Sequence, residues 1–462
     1  MYAIFAKFIN MGAHLSPYGL KPVLECSGEE GAGKGLRYGA TAMQGWRKNQ
    51  EDAYKCEVDL VDDFNYFGVF DGHGGSEVAK YLQKKLHKDV EDFLGQQKDP
   101  ELALQLAFLA CDASLRDPIG LQELNEMVEA DNKATIANIE KNRKAVFNMA
   151  VINNDGAGCS KDVLDCSLNF NSLKGDIATS SDNQDDVETM SVDESEANPS
   201  TEDNADCQMD TLKYLLKDDL ETSDPEDDDF DVEDEESSSE SGDEETFEDM
   251  ENLEPGVHSG STGTVLLIGS KHYYCANVGD SRCVLSRGGE AIDLSIDHKP
   301  DDPEEMKRIN ATGSVVSEGR INKSLNLSRA FGDFYYKDAS LAPFEQCVTV
   351  EPSITTLAVE EKDEFIIVAS DGIWNSMSSQ EVVDFITMRL KEEENLRIIS
   401  EELFRLIISP DTSGDGTGCD NMTCILIKLN PSEFNHSNAS ESQLTGNSHI
   451  SNSVQLEQVV EK

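Results

Sequence analysis

The sequence predicts an α+β protein whose sheets are antiparallel and whose folded part is divided in two by a long acidic segment. Three observations carry that expectation. Short apolar and β-branched runs at 265–268, 273–278 and 282–286 are separated by too few residues for the crossover that a parallel pair needs. Stretches with apolar residues at helical spacing accompany the strands, as at Val78, Ala79, Leu82 and Leu86. Positions 201–250 hold 23 acidic residues against Lys213 and Lys217 alone, a local net of −21.

Residues 1–37 read as an N-terminal extension. Met1 to Asn10 is apolar, but Lys7 interrupts it and no clear cleavage site follows, so neither a signal peptide nor an anchor is expected. Met11 to Ser16 has the form of an N-myristoylation signal, which works only when its glycine, Gly12, follows the initiator methionine. Ten residues precede Met11, so the match is either chance or a signal masked by the upstream start. A first folded part is expected at 38–115. It contains Gly45 to Ala53, where Arg47, Glu51 and Asp52 fall close together, and a buried strand from Tyr66 to Phe70 that stops at Asp71-Gly72-His73-Gly74-Gly75. After the first helix, Leu102, Leu106, Leu109 and Ala110 mark a second behind Pro100.

From 116 to 256 no sustained apolar period survives, and self-repulsion with few apolar groups predicts a disordered acidic insertion. Ser191, Ser223, Ser237 and Ser241 each precede an acid by three positions, as targets of an acid-directed kinase would. The insertion is either a solvating spacer or a polyanionic dock for basic proteins. A second folded part is expected at 257–429. Its strands are joined by Gly279-Asp280 and by Gly288-Gly289, and Pro303 to Asn310 reads as a helix with its acids at the positive end. Glu364 to Ser370 is a near-continuous apolar strand ending at Asp371-Gly372, which repeats the opening strand-then-Asp-Gly element. Ser378 and Glu381 form a capping box for a helix from Val382 to Leu390, and Leu396 to Ile408 is a last amphipathic helix. A turn-rich loop, Asp411 to Gly418, delivers Asp420-Asn421 to a closing strand, and 430–462 is an aperiodic polar tail, expected to be disordered.

The net charge is −53, from 91 acidic and 38 basic residues. Such a surface repels nucleic acid and anionic membrane and favours basic partners or cations. Eleven cysteines, an odd and scattered set without a CxxC pair, indicate free thiols in a reducing compartment and argue against a zinc ribbon. The expectation is a soluble intracellular monomer, in cytoplasm, nucleus or both, with no direct nucleic-acid binding and no stable membrane association.

Asp71, Asp371 and Asp420 each sit beside a small or polar residue at an end of an apolar strand, and only the fold can bring them together. Clustered carboxylates need a cation, and oxygen-only ligation selects Mg²⁺ or Mn²⁺ over zinc. Two such ions about 3.5–4 Å apart lower the pKa of a shared water from about 15.7 to about 7. The glycine at position 72 leaves its carbonyl free to turn inward. Arg47 suits a phosphate group, and His73 suits protonation of a leaving alkoxide. Taken singly, Asp71-Gly72 is equally an ordinary turn, Arg47 a surface ion pair and His73 a structural turn residue.

Together the motifs resemble one family. GWRKNQEDA (45–53), DGHGG (71–75), SGST (259–262), GDSR (279–282), DHKP (297–300), SRAFGD (328–333), SDGIW (370–374) and DN (420–421) occur in the order found in the metal-dependent type-2C serine/threonine protein phosphatases. The acidic insertion and the GDGTGCDNMT run look most like the gamma (1G) branch. The resemblance implies a four-layer αββα sandwich of two antiparallel sheets flanked by helices, with a binuclear centre at one end. It implies Asp71 as bridging ligand, the Gly72 carbonyl on one ion, and Asp371 and Asp420 on the other. It also places Glu51 on a water, Arg47 on the substrate phosphate and His73 as acid. Asp52 and Asp280 would be outer-shell acids or ligands of a third, weaker ion. Two departures stand out: Asn375 replaces a common Asp after Trp374, which puts that third position in doubt, and Lys323 replaces a common flap glycine.

The reading is therefore hydrolysis of phosphoserine and phosphothreonine in proteins by a metal-bridging hydroxide. A second class, an acidic scaffold for basic clients, competes with it. The joint presence of Asp71, Asp371, Asp420, Arg47 and His73 favours the enzyme, since a scaffold need not keep all five.

Overall fold

The computed structural model describes residues 21–61, 63–134 and 254–434. Its first four strands are β1 (Val23–Gly33), β2 (Leu36–Gly45), β3 (Ala53–Val61) and β4 (Phe64–Phe70). Short β5 (Gly72–His73) and β6 (Gly260–Ser261) pair across the acidic segment, and β7 (Gly263–Ile268), β8 (His272–Val278), β9 (Arg282–Arg287) and β10 (Glu290–Asp293) follow. After β11 (Val316–Ser317), β12 (Arg320–Ile321) and β13 (Phe331–Gly332) come β14 (Ser353–Ala358), β15 (Asp363–Ala369) and β16 (Met422–Leu429). One six-stranded sheet runs β1-β2-β16-β15-β9-β10 and one five-stranded sheet runs β14-β8-β7-β4-β3. Every pairing within them is antiparallel, as the short connections require.

Alternation along each strand sorts its side chains into layers. In β4, Phe67 and Val69 join residues of the other sheet, such as Ile366, Val368, Ile425 and Ile427, in a core between the sheets. Tyr66 and Phe70 point the opposite way, into a core shared with helices α1 (Glu77–Gln97) and α2 (Pro100–Ser114). On the far side, Phe365, Ile367 and Leu426 meet Val382, Ile386, Leu403 and Phe404 of the helices Ser379–Arg389 and Leu396–Ile407. This is the αββα order. Full burial of each such side chain contributes about 1.5–3 kcal/mol, so the layering follows from the two periodicities.

The helices begin where the chain supplies caps. Asp99 accepts from Glu101 N ahead of Pro100, and Ser378 and Glu381 form the reciprocal box ahead of Ser379. The inward face of α2 differs from the expected one. Ala103, Leu104, Ala107, Phe108 and Cys111 are buried, whereas Leu102 and Leu106 are only half-buried, because α2 is apolar nearly all round and spacing alone does not choose its face.

Three boundaries also move. Strand β1 lies within the expected N-terminal extension; as an edge strand with Glu25, Glu29 and Glu30 it lacks a two-sided apolar pattern. Residues 118–134 are helical, here α3, and Leu124 is buried beside Leu115 and Phe334, so the body extends past Arg116 into the expected insertion. Pro431–Phe434 forms one further helical turn with Phe434 buried. The Met11–Ser16 motif, positions 135–253 and positions 435–462 lie outside the described residues. Among the described residues no helix is long and apolar enough to cross a membrane.

A small fourth core, with Ile309, Ile321, Leu325, Leu327 and Val348, joins helix α4 (Pro303–Ala311) to the stretch that follows it. Asn322 and Lys323 take φ values of 49° and 62°, so this turn uses the left-handed region without glycine. Glu305 on α4 pairs with Arg329 Nη2 at 2.6 Å and, within the helix, with Arg308 Nη1 at 2.8 Å. Burial favours the neutral acid at Glu305, but the two guanidiniums outweigh it and hold the carboxyl at about 2, below its ordinary 4.5. The resulting stabilisation is complete above about pH 4.5 and is lost as pH falls towards 2. Urea unfolding should show Glu305→Gln less stable than wild type by about 3 kcal/mol at pH 7, the gap closing between pH 4.5 and 2. A gap independent of pH would contradict this account of the ion pair.

Candidate active site

Four strand ends meet at one end of the sandwich. Asp71 follows β4, and its backbone is held on both sides: its N–H donates to Thr262 Oγ1 at 3.1 Å and its carbonyl accepts from Thr262 N at 2.9 Å. The next residues pair as Gly72↔Ser261 and His73↔Gly260, so the first part of the chain reads directly onto the second. Asp371 follows β15 and Asp420 precedes its neighbour β16, with Ser370 Oγ accepting from Thr423 N at 3.1 Å between them. A Cβ at Gly372 would collide with the Asn421 carbonyl, so the glycine of the SDG run lets those two loops close on each other. Asp280 lies in the β8–β9 turn, buried, and Asp52 lies just ahead of β3, where its Oδ2 accepts from Ser370 Oγ at 2.9 Å.

The carboxylates converge closely enough to act on one another. Asp71 is pushed well above the usual carboxylate range by burial and then by Asp52, Asp371, Asp420 and Asp280. Asp371 is raised by burial, Asp420 and Asp280, with Lys299 opposing. Asp52 is pushed up to about 7 by burial and Asp420, against hydrogen bonds from Thr423 and Ser370. Burial also raises Glu51, while Arg47 and His73 pull it back.

Groups of the chain itself engage these oxygens. Arg47 Nη2 lies 2.5 Å from Asp420 Oδ2, Lys299 Nζ 2.5 Å from Asp280 Oδ2, and Asn375 Nδ2 donates to Asp371 Oδ2 at 2.8 Å. Among the described residues no three His, Cys, Asp or Glu side chains form a ready-made cation cage. The converging donors are nonetheless all oxygens, a set that fits Mg²⁺ or Mn²⁺.

His73 is brought to the same end, where its Nε2 lies 2.7 Å from Asp333 Oδ2. Burial alone would lower the imidazole pKa, but Asp333 and then Glu51 raise it. Arg47 sits between β2 and β3 on a loop that Asn421 pins: its Nδ2 donates to the carbonyls of Gln44 and Asn49 at 2.8 and 3.0 Å, and its Oδ1 accepts from Glu51 N at 2.9 Å.

Sequence reasoning did not assign Asp333, Lys299, Thr262 or Asn421. All four stand inside the motif strings, but most of their partners lie 191 to 377 residues away, so only the fold reveals the pairings.

The sequence matches the Protein phosphatase 2C family over residues 36–151 and 180–416. The chain belongs to this family. Similar proteins include Protein phosphatase ppm-1.G of Caenorhabditis elegans, 36% identical over 494 residues that cover 90% of this chain and 98% of that one. Protein phosphatase 1G of Mus musculus is also 36% identical, covering 91% and 93% of the two chains, in agreement with the gamma-branch resemblance. A phosphatase structure from Toxoplasma gondii superposes with a TM-score of 0.50 at 16% identity, covering 88% and 95%, and shares the fold. As a protein phosphatase 2C, the chain is a serine/threonine protein phosphatase, a hydrolase of a family that depends on Mg²⁺ or Mn²⁺.

Proposed function

We propose that this end of the sandwich binds two Mg²⁺ or Mn²⁺ ions through Asp71, the Gly72 carbonyl, Asp371 and Asp420, and hydrolyses phosphoserine and phosphothreonine in proteins. The observation that carries the reading is the convergence of Asp71, Asp371, Asp420, Asp280 and Asp52 from separate segments, each of the first two raised by its neighbours. Divalent cations at such a cluster relieve the repulsion and supply water of lowered pKa. Glu51 orients that water, and Asp280 with Asp52 forms an outer shell or a third, weaker cation position. Asn375, bonded to Asp371 Oδ2, removes a carboxylate from that third position.

Arg47 offers its guanidinium to the substrate phosphate; its Nε has no partner among the described residues, which supports this role. His73, whose proton affinity Asp333 and then Glu51 raise against the effect of burial, gives its proton to the leaving oxygen. The local −21 of positions 201–250 favours basic phosphoproteins as substrates and basic proteins as partners. The enzyme acts as an intracellular monomer, without stable membrane association and without direct contact to nucleic acid.

Hydrolysis of a phosphoserine peptide with added Mn²⁺ should vanish with a chelator and fall by at least about 10³-fold in Asp371→Ala. Turnover undiminished in either condition contradicts the site. Deleting residues 180–254 should leave a small phosphate ester hydrolysed at the wild-type rate and weaken action on basic phosphoproteins, more so at low ionic strength. Equal loss on both substrates contradicts the role given to the acidic segment.

A further inference from the structure

Asp333 is a buried carboxylate outside the group of converging aspartates, and its geometry is costly. Its side chain is 2% exposed, and its backbone stands at φ 51°, in the left-handed region that an aspartate tolerates better than most residues but still at a penalty. Its neighbours hold it there. Asp333 N donates to the Ser259 carbonyl and Phe334 N to that of Gly256, each at 3.0 Å. Beneath them Asp112 accepts from Gly332 N at 2.9 Å and from Lys337 Nζ at 2.8 Å. All of this delivers one carboxylate oxygen to His73 Nε2 at 2.7 Å.

Gly260 is the second observation. A Cβ at this position would overlap both Asp333 Oδ2 and His73 Nε2, so the glycine of the SGST run leaves the space in which the pair meets. A strained loop, a braced carboxylate and a cleared approach all serve a single hydrogen bond, to one nitrogen of one imidazole.

We propose that Asp333 is a positioning residue for His73: it holds the ring by Nε2 so that Nδ1 is the nitrogen presented to the leaving oxygen of the phosphoester. The inference rests on the reading of His73 as proton donor. In the step concerned, the oxygen of water bonds to phosphorus and the bond from phosphorus to the seryl oxygen breaks. The seryl oxygen leaves with the Nδ1 proton, and the proton shed by the water restores His73. Asp333 touches no reacting atom; it orients the donor.

Leaving-group dependence separates this role from a merely structural one. A seryl alkoxide is strongly basic and needs the proton, whereas p-nitrophenolate departs readily as an anion. With the Mn²⁺-loaded full-length enzyme, Asp333→Asn should lower kcat on a phosphoserine peptide by about 10- to 100-fold and kcat on p-nitrophenyl phosphate by no more than about 3-fold. Gly260→Ala, which pushes the pair apart from the other side, should show the same selectivity and carries the test if Asp333→Asn does not fold. His73→Gln serves as the reference. If His73→Gln is selective and the other two lose both substrates equally, or neither, the positioning role is overturned. If His73→Gln itself shows no selectivity, the reading of His73 as proton donor fails instead.

Discussion

Mutual repulsion among clustered carboxylates is the constraint around which this end of the sandwich is arranged. Asp71, Asp371, Asp420, Asp280 and Asp52 lie near one another, and burial and their neighbours push Asp71, Asp371 and Asp52 above the ordinary carboxylate range. A fold that cared only for stability would put apolar side chains there. Arg47, Lys299 and Asn375 offset part of the cost by engaging individual oxygens, and the remainder is the repulsion that the proposed cations would relieve.

The sandwich can bear this because its energy comes from elsewhere. Three apolar layers, one between the sheets and one beneath each helical pair, bury most of the large side chains. Period-two strands send alternate residues to different layers, so each sheet is covered on both faces. The strand ends are then free to carry polar residues. Their loops are fixed by backbone and amide hydrogen bonds, such as those of Thr262 with Asp71 and of Asn421 with Gln44, Asn49 and Glu51.

Much of this was legible beforehand. Strands β4, β7, β8, β9, β15 and β16, the antiparallel pairing of the closely joined ones, the capping box at Ser378 and the aspartates at the ends of β4, β15 and β16 follow from local pattern, whereas β2, β3 and β14 are not read as strands. What was not legible depends on long-range partners or on weak amphipathicity. Strand β1 is polar because it is an edge; α3 offers only Leu124 and Met127 to the core amid charged residues; and α2 is apolar on faces it does not bury. Asp333 reads in sequence as the end of a motif, and its meeting with His73, 260 residues away, exists only in three dimensions.

The central claim is that the carboxylate cluster is strained until cations enter it. Thermal unfolding of wild type and Asp71→Asn, each with chelator and with saturating Mn²⁺, tests that claim without reference to activity. The account predicts that with chelator Asp71→Asn is at least as stable as wild type, because one repelling charge is gone. It also predicts that Mn²⁺ at about 100 times its Kd stabilises wild type by about 2.7 kcal/mol and the variant far less. A metal-free Asp71→Asn that unfolds well below wild type, together with equal stabilisation of both proteins by Mn²⁺, would contradict it.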